Sequence, residues 1–205
     1  MENNFLRDQL LAADANGRVQ LLFDYLTRHG DENYEEDVTQ MQHGLQAAYL
    51  AKDAGQDPEY ITAALFHDIG HILADDPDEK NNPTLKDDNH EDIAASFFRD
   101  IFPDKVIEPI RLHVTAKRYL CTVNEAYYQG LSEPSQKSFH LQGGNMSAEE
   151  LAAFEANPFH QAAVQLRIWD DTAKDVHAEV PTLNDYWEIV SDSLLDEPAI
   201  GILGE

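Results

Sequence analysis

Residues 65–71 read Leu65-Phe66-His67-Asp68-Ile69-Gly70-His71, and the adjacent pair His67-Asp68 within this apolar run decides how the rest of the chain is read. Tyr60, Ile61 and Ala64 upstream recur at helical steps and predict a helix over Pro58–His67. Neighbouring side chains on a helix diverge by about 100°, so His67 and Asp68 flank the inward face. One can reach one cation while the other reaches a second. An ionised aspartate carried inward without a partner is costly, so Asp68 requires a counter-charge.

The same periodicity places further donors inward. His43 lies 24 residues before His67, beside Thr39, Ala47 and Leu50. The opposite side of that helix, Val38, Met41, Leu45 and Tyr49, is also apolar, so the helix reads as buried all round. His90 falls among Ile93, Ala94, Phe97 and Ile101. His113 shares a stripe with Val106, Ile110 and Lys117, and Asp170 shares a face with Ala163 and Leu166. A single inward histidine is ordinarily a hydrogen-bonded core residue. Four inward histidines and two inward aspartates together require one another or a cation. Six nitrogen and oxygen donors suit two borderline metals, with Asp68 as the bridge. His29, His140, His160 and His177 read as surface or loop residues.

The surrounding chain is consistent with a helical bundle. Helices are predicted over Asn3–Ala13, Gly17–Arg28, Val38–Asp53, Pro58–His67, His90–Ile101, Asp104–Arg118, Thr122–Gln129, Ala148–Glu155, Phe159–Lys174 and Leu183–Leu194. Asp57 before Pro58 reads as a cap followed by a first-turn proline. Ser147 with Glu150 reads as a capping box. Leu73–Asn89 and Gly130–Met146 read as long loops, and Glu197–Glu205 as a frayed tail. No β-alternation or repeat is evident, so the fold class is all-α, a single domain over 1–205 with its core at about 34–174.

Composition narrows the function. The chain has 205 residues, 42% of them hydrophobic, which is enough for a substantial core. There are 14 Lys and Arg against 39 Asp and Glu, for a formal charge of −25. Such a surface repels nucleic acid and anionic membranes, so polyanion binding is disfavoured. An anionic small molecule would need the rare basic residues gathered in one place, or a metal. One cysteine, Cys121, excludes an internal disulfide framework and fits the cytoplasm. No apolar run is long enough for a membrane span, and no basic-then-apolar secretory leader opens the sequence.

The order His43, His67-Asp68, Asp170, with His90 and His113 between, resembles the dinuclear branch of the HD-domain superfamily. A finer resemblance is carried by the run from Tyr34 to His43, by LFHDIGH (65–71), by LSEPSQKSFHLQGG (131–144) and by LRIWDDTAK (166–174). It is to the mixed-valence diiron oxygenases that cleave organophosphonates, the PhnZ and TmpB type. This resemblance implies an HD-domain helical bundle with a dinuclear metal centre in its core. Two iron ions, Fe(II) and Fe(III), would be the cofactor. His43, His67 and Asp170 would hold one iron, His90 and His113 the other, with Asp68 between them.

The resemblance also implies substrate contacts. His71 corresponds to a substrate-contacting histidine. Lys117, one turn after His113, and Arg167, one turn before Asp170, correspond to cations on the phosphonate, and Ser135 to a contacting hydroxyl. Tyr34 and the acids after it resemble a lid, with Asp37 the acid nearest the ligand and Glu36 beside it. No catalytic group beyond the metal ligands is implied. Each has a plainer reading: Lys117 and Arg167 as partners of nearby carboxylates, Ser135 as a turn cap after Pro134, Tyr34 as a surface aromatic. Asp171 points away by helical angle alone, and Trp169 and Trp187 read as core.

The expected reaction is O2-dependent cleavage of the carbon–phosphorus bond of a 1-hydroxyphosphonate. The expected substrate is (R)-1-hydroxy-2-(trimethylammonio)ethylphosphonate, giving glycine betaine and phosphate. The 2-amino analogue, giving glycine, is the alternative, since an acidic lid beside Tyr34 suits either cation. Two other classes use the same ligands: a dinuclear phosphohydrolase, and a metal-stabilised module that binds a ligand without turnover.

Overall fold

A computed structural model describes residues 2–31, 37–74 and 89–196. The helices are α1 (Glu2–Ala12), α2 (Ala15–His29), α3 (Gln40–Asp53), α4 (Pro58–Phe66), α5 (Ile69–Ala74), α6 (His90–Phe98), α7 (Asp104–Val123), α8 (Glu125–Gly130), α9 (Glu133–Leu141), α10 (Ala148–Glu155), α11 (His160–Thr172) and α12 (Trp187–Asp192), the last preceded by a 3-10 turn at Leu183–Tyr186. Among the described residues no β-strand forms and no helix is long and apolar enough to cross a membrane. Tyr34, Glu35, Glu36, most of Leu73–Asn89 and the tail from 197 lie outside the described residues.

The long helix α7 is the central strut. It packs against α4, α6 and α11, while α3 packs against α4 and α11. The main core fills the space between α2, α3, α4, α6 and the C-terminal helices, and includes Leu22, Phe66, Phe98, Ile101, Phe102, Ile110, Leu166 and Tyr186. Phe66 stands edge-on to Phe98 at 5.5 Å, and Phe98 edge-on to Phe102 at 5.1 Å. Each such ring, taken fully out of water, contributes roughly 1.5–3 kcal/mol. Trp169 is buried, and Trp187 packs edge-on against Phe23 at 5.7 Å. A smaller cluster, Leu112, Ala116, Met146, Phe154 and Ala163, closes the far side of α7.

Two glycines let helices approach more closely than side chains permit. A Cβ at Gly44 would lie 2.5 Å from the Leu65 carbonyl oxygen, so α3 meets α4 backbone to backbone. A Cβ at Gly70 would lie 1.9 Å from the His90 carbonyl oxygen, so α5 presses onto the start of α6.

Several elements depart from the sequence expectation. The Pro58 helix ends at Phe66, and His67 and Asp68 form the joint before α5, where the His71 amide bonds the Asp68 carbonyl at 3.0 Å. Asp57 occupies the cap position of α4 but makes no capping hydrogen bond, leaving Pro58 as the start signal. Helix α7 runs on to Val123, because the next cap is Asn124, whose side chain accepts from the amides of Ala126 and Tyr127. The expected loop Gly130–Met146 contains α9. Ser132 caps it by accepting from the Ser135 amide, and Pro134 sits in the first turn, a start signal hidden in loop-like composition. The true turn is Gly143-Gly144, where both residues have positive φ, +107° and +66°. Helix α3 is buried through His43–Ala48 but leaves Tyr49 exposed, so it is not enclosed all round. The Ser147–Glu150 capping box is present as read.

Candidate active site

Four helices and the α4–α5 joint bring His43, His67, Asp68, His90, His113 and Asp170 to one point in the bundle. Every member but Asp68 is buried, and Asp68 is half-buried. The two oxygens of Asp68 face different neighbours. Oδ2 lies 3.5 Å from His43 Nε2 and 3.6 Å from His67 Nε2. Oδ1 lies 3.5 Å from both His90 Nε2 and His113 Nε2. Asp170 Oδ1 joins the first group, 3.3 Å from His43 Nε2 and 3.8 Å from His67 Nε2. Two donor groups result, His43–His67–Asp68–Asp170 and Asp68–His90–His113, which share one carboxylate.

Whether these residues suit metal ions can be judged from their hydrogen bonds. The Nδ1 atoms of His43, His67 and His113 lie 2.8, 2.8 and 2.7 Å from the carbonyls of Ala173, Ala64 and Ile110. A carbonyl only accepts, so Nδ1 carries the proton and Nε2 points its lone pair inward in the neutral ring. Yet the Nε2 atoms meet in pairs, His43 with His67 at 3.1 Å and His90 with His113 at 3.1 Å. Facing lone pairs need a shared proton or a cation. Imidazoles fixed by backbone carbonyls and a carboxylate shared between groups are the donor set of a dinuclear site. The residues therefore fit two metal ions.

The electrostatics agree. Burial pulls the His67 ring down, but Asp68 and Asp170 outweigh it and hold its pKa up at about 9. Burial pushes Asp68 up, and the charge of His67 with the hydrogen bond from His113 holds it well below the carboxylate range. Asp170 is likewise held low against burial by Arg167, His43 and His67. The carboxylates stay ionised and call for positive charge at the centre. Burial and the charge of His71 depress His90, so this ring stays neutral and able to ligate.

A cavity of about 180 Å³ opens beside the donors. His71, Lys117, Ser135 and Arg167, four of the residues expected to contact a substrate, line it and are buried. His71 stacks on His90 with ring centroids 3.9 Å apart. Asp37 is exposed and does not line the cavity; Val38, Thr39 and Gln40 after it do. Tyr34 lies outside the described residues.

Asp171 corrects the angular reading. It is not a solvated neighbour, since Arg167 and the Tyr127 hydroxyl both donate to it. Arg167 also binds Asp170, Nη1 to Oδ2 at 2.6 Å. Several wall residues escaped the sequence reading, among them Lys137, Ser138, Gln142 and Lys174. Ser138 accepts from Lys117 Nζ at 2.7 Å, Lys174 Nζ donates to Ser135 Oγ at 3.2 Å, and Lys137 and Gln142 also line the cavity. Ser138 is one turn after Ser135 and Lys174 four residues after Asp170, spacings that could have found them.

The HD domain family matches residues 41–170. A hydroxymethylphosphonate dioxygenase of Gimesia maris is 51% identical over 177 residues, 86% of this chain and 88% of that protein. The [1-hydroxy-2-(trimethylamino)ethyl]phosphonate dioxygenase (glycine-betaine-forming) of Leisingera caerulea is 40% identical over 170 residues, 82% of this chain and 85% of that protein. An uncharacterised protein of Acanthamoeba polyphaga mimivirus is 35% identical over 171 residues, 80% of this chain and 76% of that protein. With its shared-carboxylate centre and these matches, the chain belongs to the HD-domain family, in the group that contains the two dioxygenases.

Proposed function

We propose that this chain is an O2-dependent oxidoreductase of the cytoplasm that cleaves the carbon–phosphorus bond of a 1-hydroxyphosphonate, with hydroxymethylphosphonate as its preferred substrate. The products are formate and phosphate. Hydroxymethylphosphonate and O2 balance against formate, hydrogen phosphate and one proton. The observation that carries the reading is Asp68, one oxygen toward each histidine group, beside a cavity walled by Lys117, Ser135 and Lys174.

His43, His67 and Asp170 would hold one iron and His90 and His113 the other, with Asp68 common to both. Bound iron would supply oxygen activation and the redox steps. The protein's part is to bind and orient. Lys117 and Ser135 meet the phosphonate, and His71, stacked on His90, walls the carbinol side. Val114, buried in the cavity wall, adds apolar surface beside the reacting end. The centre leaves room for ligands, since each donor group supplies at most four protein atoms.

The small substrate is favoured by the Gimesia maris relative and by the lining. Among the described lining residues the only carboxylates are Asp68 and Asp170, both turned to histidines, and no Phe, Tyr or Trp is present. A quaternary ammonium prefers aromatic faces and free carboxylates. The second reading keeps the chemistry and places the trimethylammonio substrate here, giving glycine betaine. It is favoured by the Leisingera caerulea relative and by the sequence Tyr34-Glu35-Glu36-Asp37.

Turnover of hydroxymethylphosphonate, the trimethylammonio compound and the 2-amino compound, with and without O2, tests both. Phosphate release that requires O2 and has the highest kcat/KM for hydroxymethylphosphonate is the expected result. Equal release without O2 makes the protein a phosphohydrolase, and O2-dependent preference for the trimethylammonio compound selects the second reading.

A further inference from the structure

Three of the clustered histidines are oriented by a backbone carbonyl, but the carbonyls are not of one kind. His67 Nδ1 and His113 Nδ1 bond the carbonyls of Ala64 and Ile110, each three residues earlier in the chain. The local helical turn supplies that partner. His43 Nδ1 instead takes the Ala173 carbonyl at 2.8 Å, 130 residues away. That partner is in place only when the chain leaving α11 lies against α3.

The chain at that point has little of its own to hold it. Helix α11 ends at Thr172, and no helix forms again before the 3-10 turn at Leu183. The last carbonyls of a helix lack partners within it. Ala173 is buried, and its amide bonds the Trp169 carbonyl at 2.9 Å. Two residues on, Gln46 grips the main chain with both ends of its amide. Its Oε1 accepts from the Asp175 N–H at 3.0 Å, and its Nε2 donates to the Asp175 carbonyl at 3.0 Å. A backbone N–H only donates and a carbonyl only accepts, so the partners fix which way the amide faces. Gln46 is buried and does not line the cavity beside the donors. It lies three residues after His43, so one face of α3 carries both the imidazole and the grip on the segment that orients it.

We propose that Gln46 is a positioning residue for the His43–Asp170 donor group. By registering the chain beyond α11 against α3, it holds the Ala173 carbonyl on His43 Nδ1. The ring proton then stays on Nδ1, and the Nε2 lone pair points inward. Asp170 lies three residues before Ala173, so the same grip sets the separation of His43 and Asp170. This rests on the assignment of those two residues to one metal ion in the function proposed above, and not on the choice of substrate. The His90–His113 group, on α6 and α7, lies outside it.

Zinc-loaded protein permits imidazole proton–nitrogen correlation spectra. In Gln46→Met, the His43 Nδ1–H should exchange with solvent about tenfold faster, the scale of one net hydrogen bond. The Nδ1–H signals of His67 and His113 should keep their wild-type rates. In a His113→Ala background, which isolates the ion at His43–Asp170, Gln46→Met should weaken metal retention against a chelator about 10–100-fold. Gln46→Glu keeps the arm that accepts from the Asp175 amide. It should fall between the two, and it serves if the methionine variant does not fold. Unchanged exchange at His43, or unchanged metal retention, in a folded variant overturns the proposal. Equal acceleration at all three rings also overturns it, since Gln46 would then support only the fold. If the wild type binds no metal ion, the ligand assignment fails, while exchange at His43 in the metal-free protein still decides the grip.

Discussion

The Gly70 backbone lies against the carbonyl of His90, so that a Cβ on Gly70 would stand 1.9 Å from that oxygen. Backbone cannot yield as a flexible side chain does, so Gly70→Ala must push the start of α6 away from α5. His90 Nε2 would leave its place 3.5 Å from Asp68 Oδ1. The expected outcome is selective loss of the ion at the His90–His113 position. Elemental analysis should fall from two metals per chain toward one, with far-UV circular dichroism little changed. Two retained metals would show that α6 can shift without cost to the centre.

Asp68 is the one carboxylate common to both donor groups. Asp68→Ala should therefore release both metals, whereas His113→Ala should release mainly one. Metal analysis of the purified variants, alongside an electron paramagnetic resonance spectrum of the iron-loaded wild type, checks this. A two-metal Asp68→Ala protein would contradict the bridge.

Chelation should lower the melting temperature, because the paired Nε2 atoms then face one another without a cation. At free metal 100-fold above Kd the linkage contributes about 2.7 kcal/mol for each ion bound. At roughly 2–4 °C per kcal/mol for a chain of this size, the fall is about 5–10 °C for each ion removed. Scanning calorimetry before and after chelator treatment reads it. An unchanged transition would mean that protons satisfy the site as well as metal does.

Burial, and then the charge of Arg167, lower the pKa of Lys117 to about 8. A lysine whose folded pKa lies below its unfolded value disfavours folding. That cost, on the order of 3 kcal/mol from 10.5 against about 8, is full below pH 8 and fades as pH rises to 10.5. Lys117→Met should raise the melting temperature at pH 7 while weakening phosphonate binding. In the wild type, methylphosphonate affinity should decline as pH rises through about 8, and Lys117→Met should flatten that limb. A variant that melts lower and keeps the pH dependence would remove Lys117 from both roles.

Asp171→Ala leaves the buried Arg167 with one carboxylate instead of two. Since Asp170 still compensates the charge, losing the second carboxylate costs about 1–3 kcal/mol, the scale of hydrogen bonds to a buried charged group. Denaturant unfolding of the metal-loaded protein should show a loss of that order, and Tyr127→Phe a smaller one, since only a hydroxyl donor goes. A loss under 0.5 kcal/mol in Asp171→Ala would indicate that Asp170 alone satisfies the guanidinium.

The six donors were legible because helical periodicity and the spacing of His43, His67-Asp68, His90, His113 and Asp170 both pointed inward. The class of fold followed from the same periodicity. Helix α9 was not legible, because its turn-forming start, Leu131-Ser132-Glu133-Pro134, matches loop composition as well as a capped helix. Asp171 was misplaced because angle alone ignores reach: Arg167 lies four residues earlier, where a long side chain finds it. Lys174 lies past the last turn of α11, where helical phase no longer applies. Gly70 gave no sign of its importance, since close packing of backbones is a property of the assembled helices.

Helix α7 carries His113 toward one donor group and, one turn later, Lys117 toward the anion wall. Helix α11 carries Asp170 toward the other donor group and, three residues earlier, Arg167, whose guanidinium is held by Asp170 and Asp171. Four residues of helix span about 6 Å, and neither rod can shorten by a fraction of a turn. Under the function proposed above, the bundle would act as a gauge of fixed length between cations and oxyanion, so that hydroxyl and phosphonate on one carbon would fit where the same groups on adjacent carbons would overrun it.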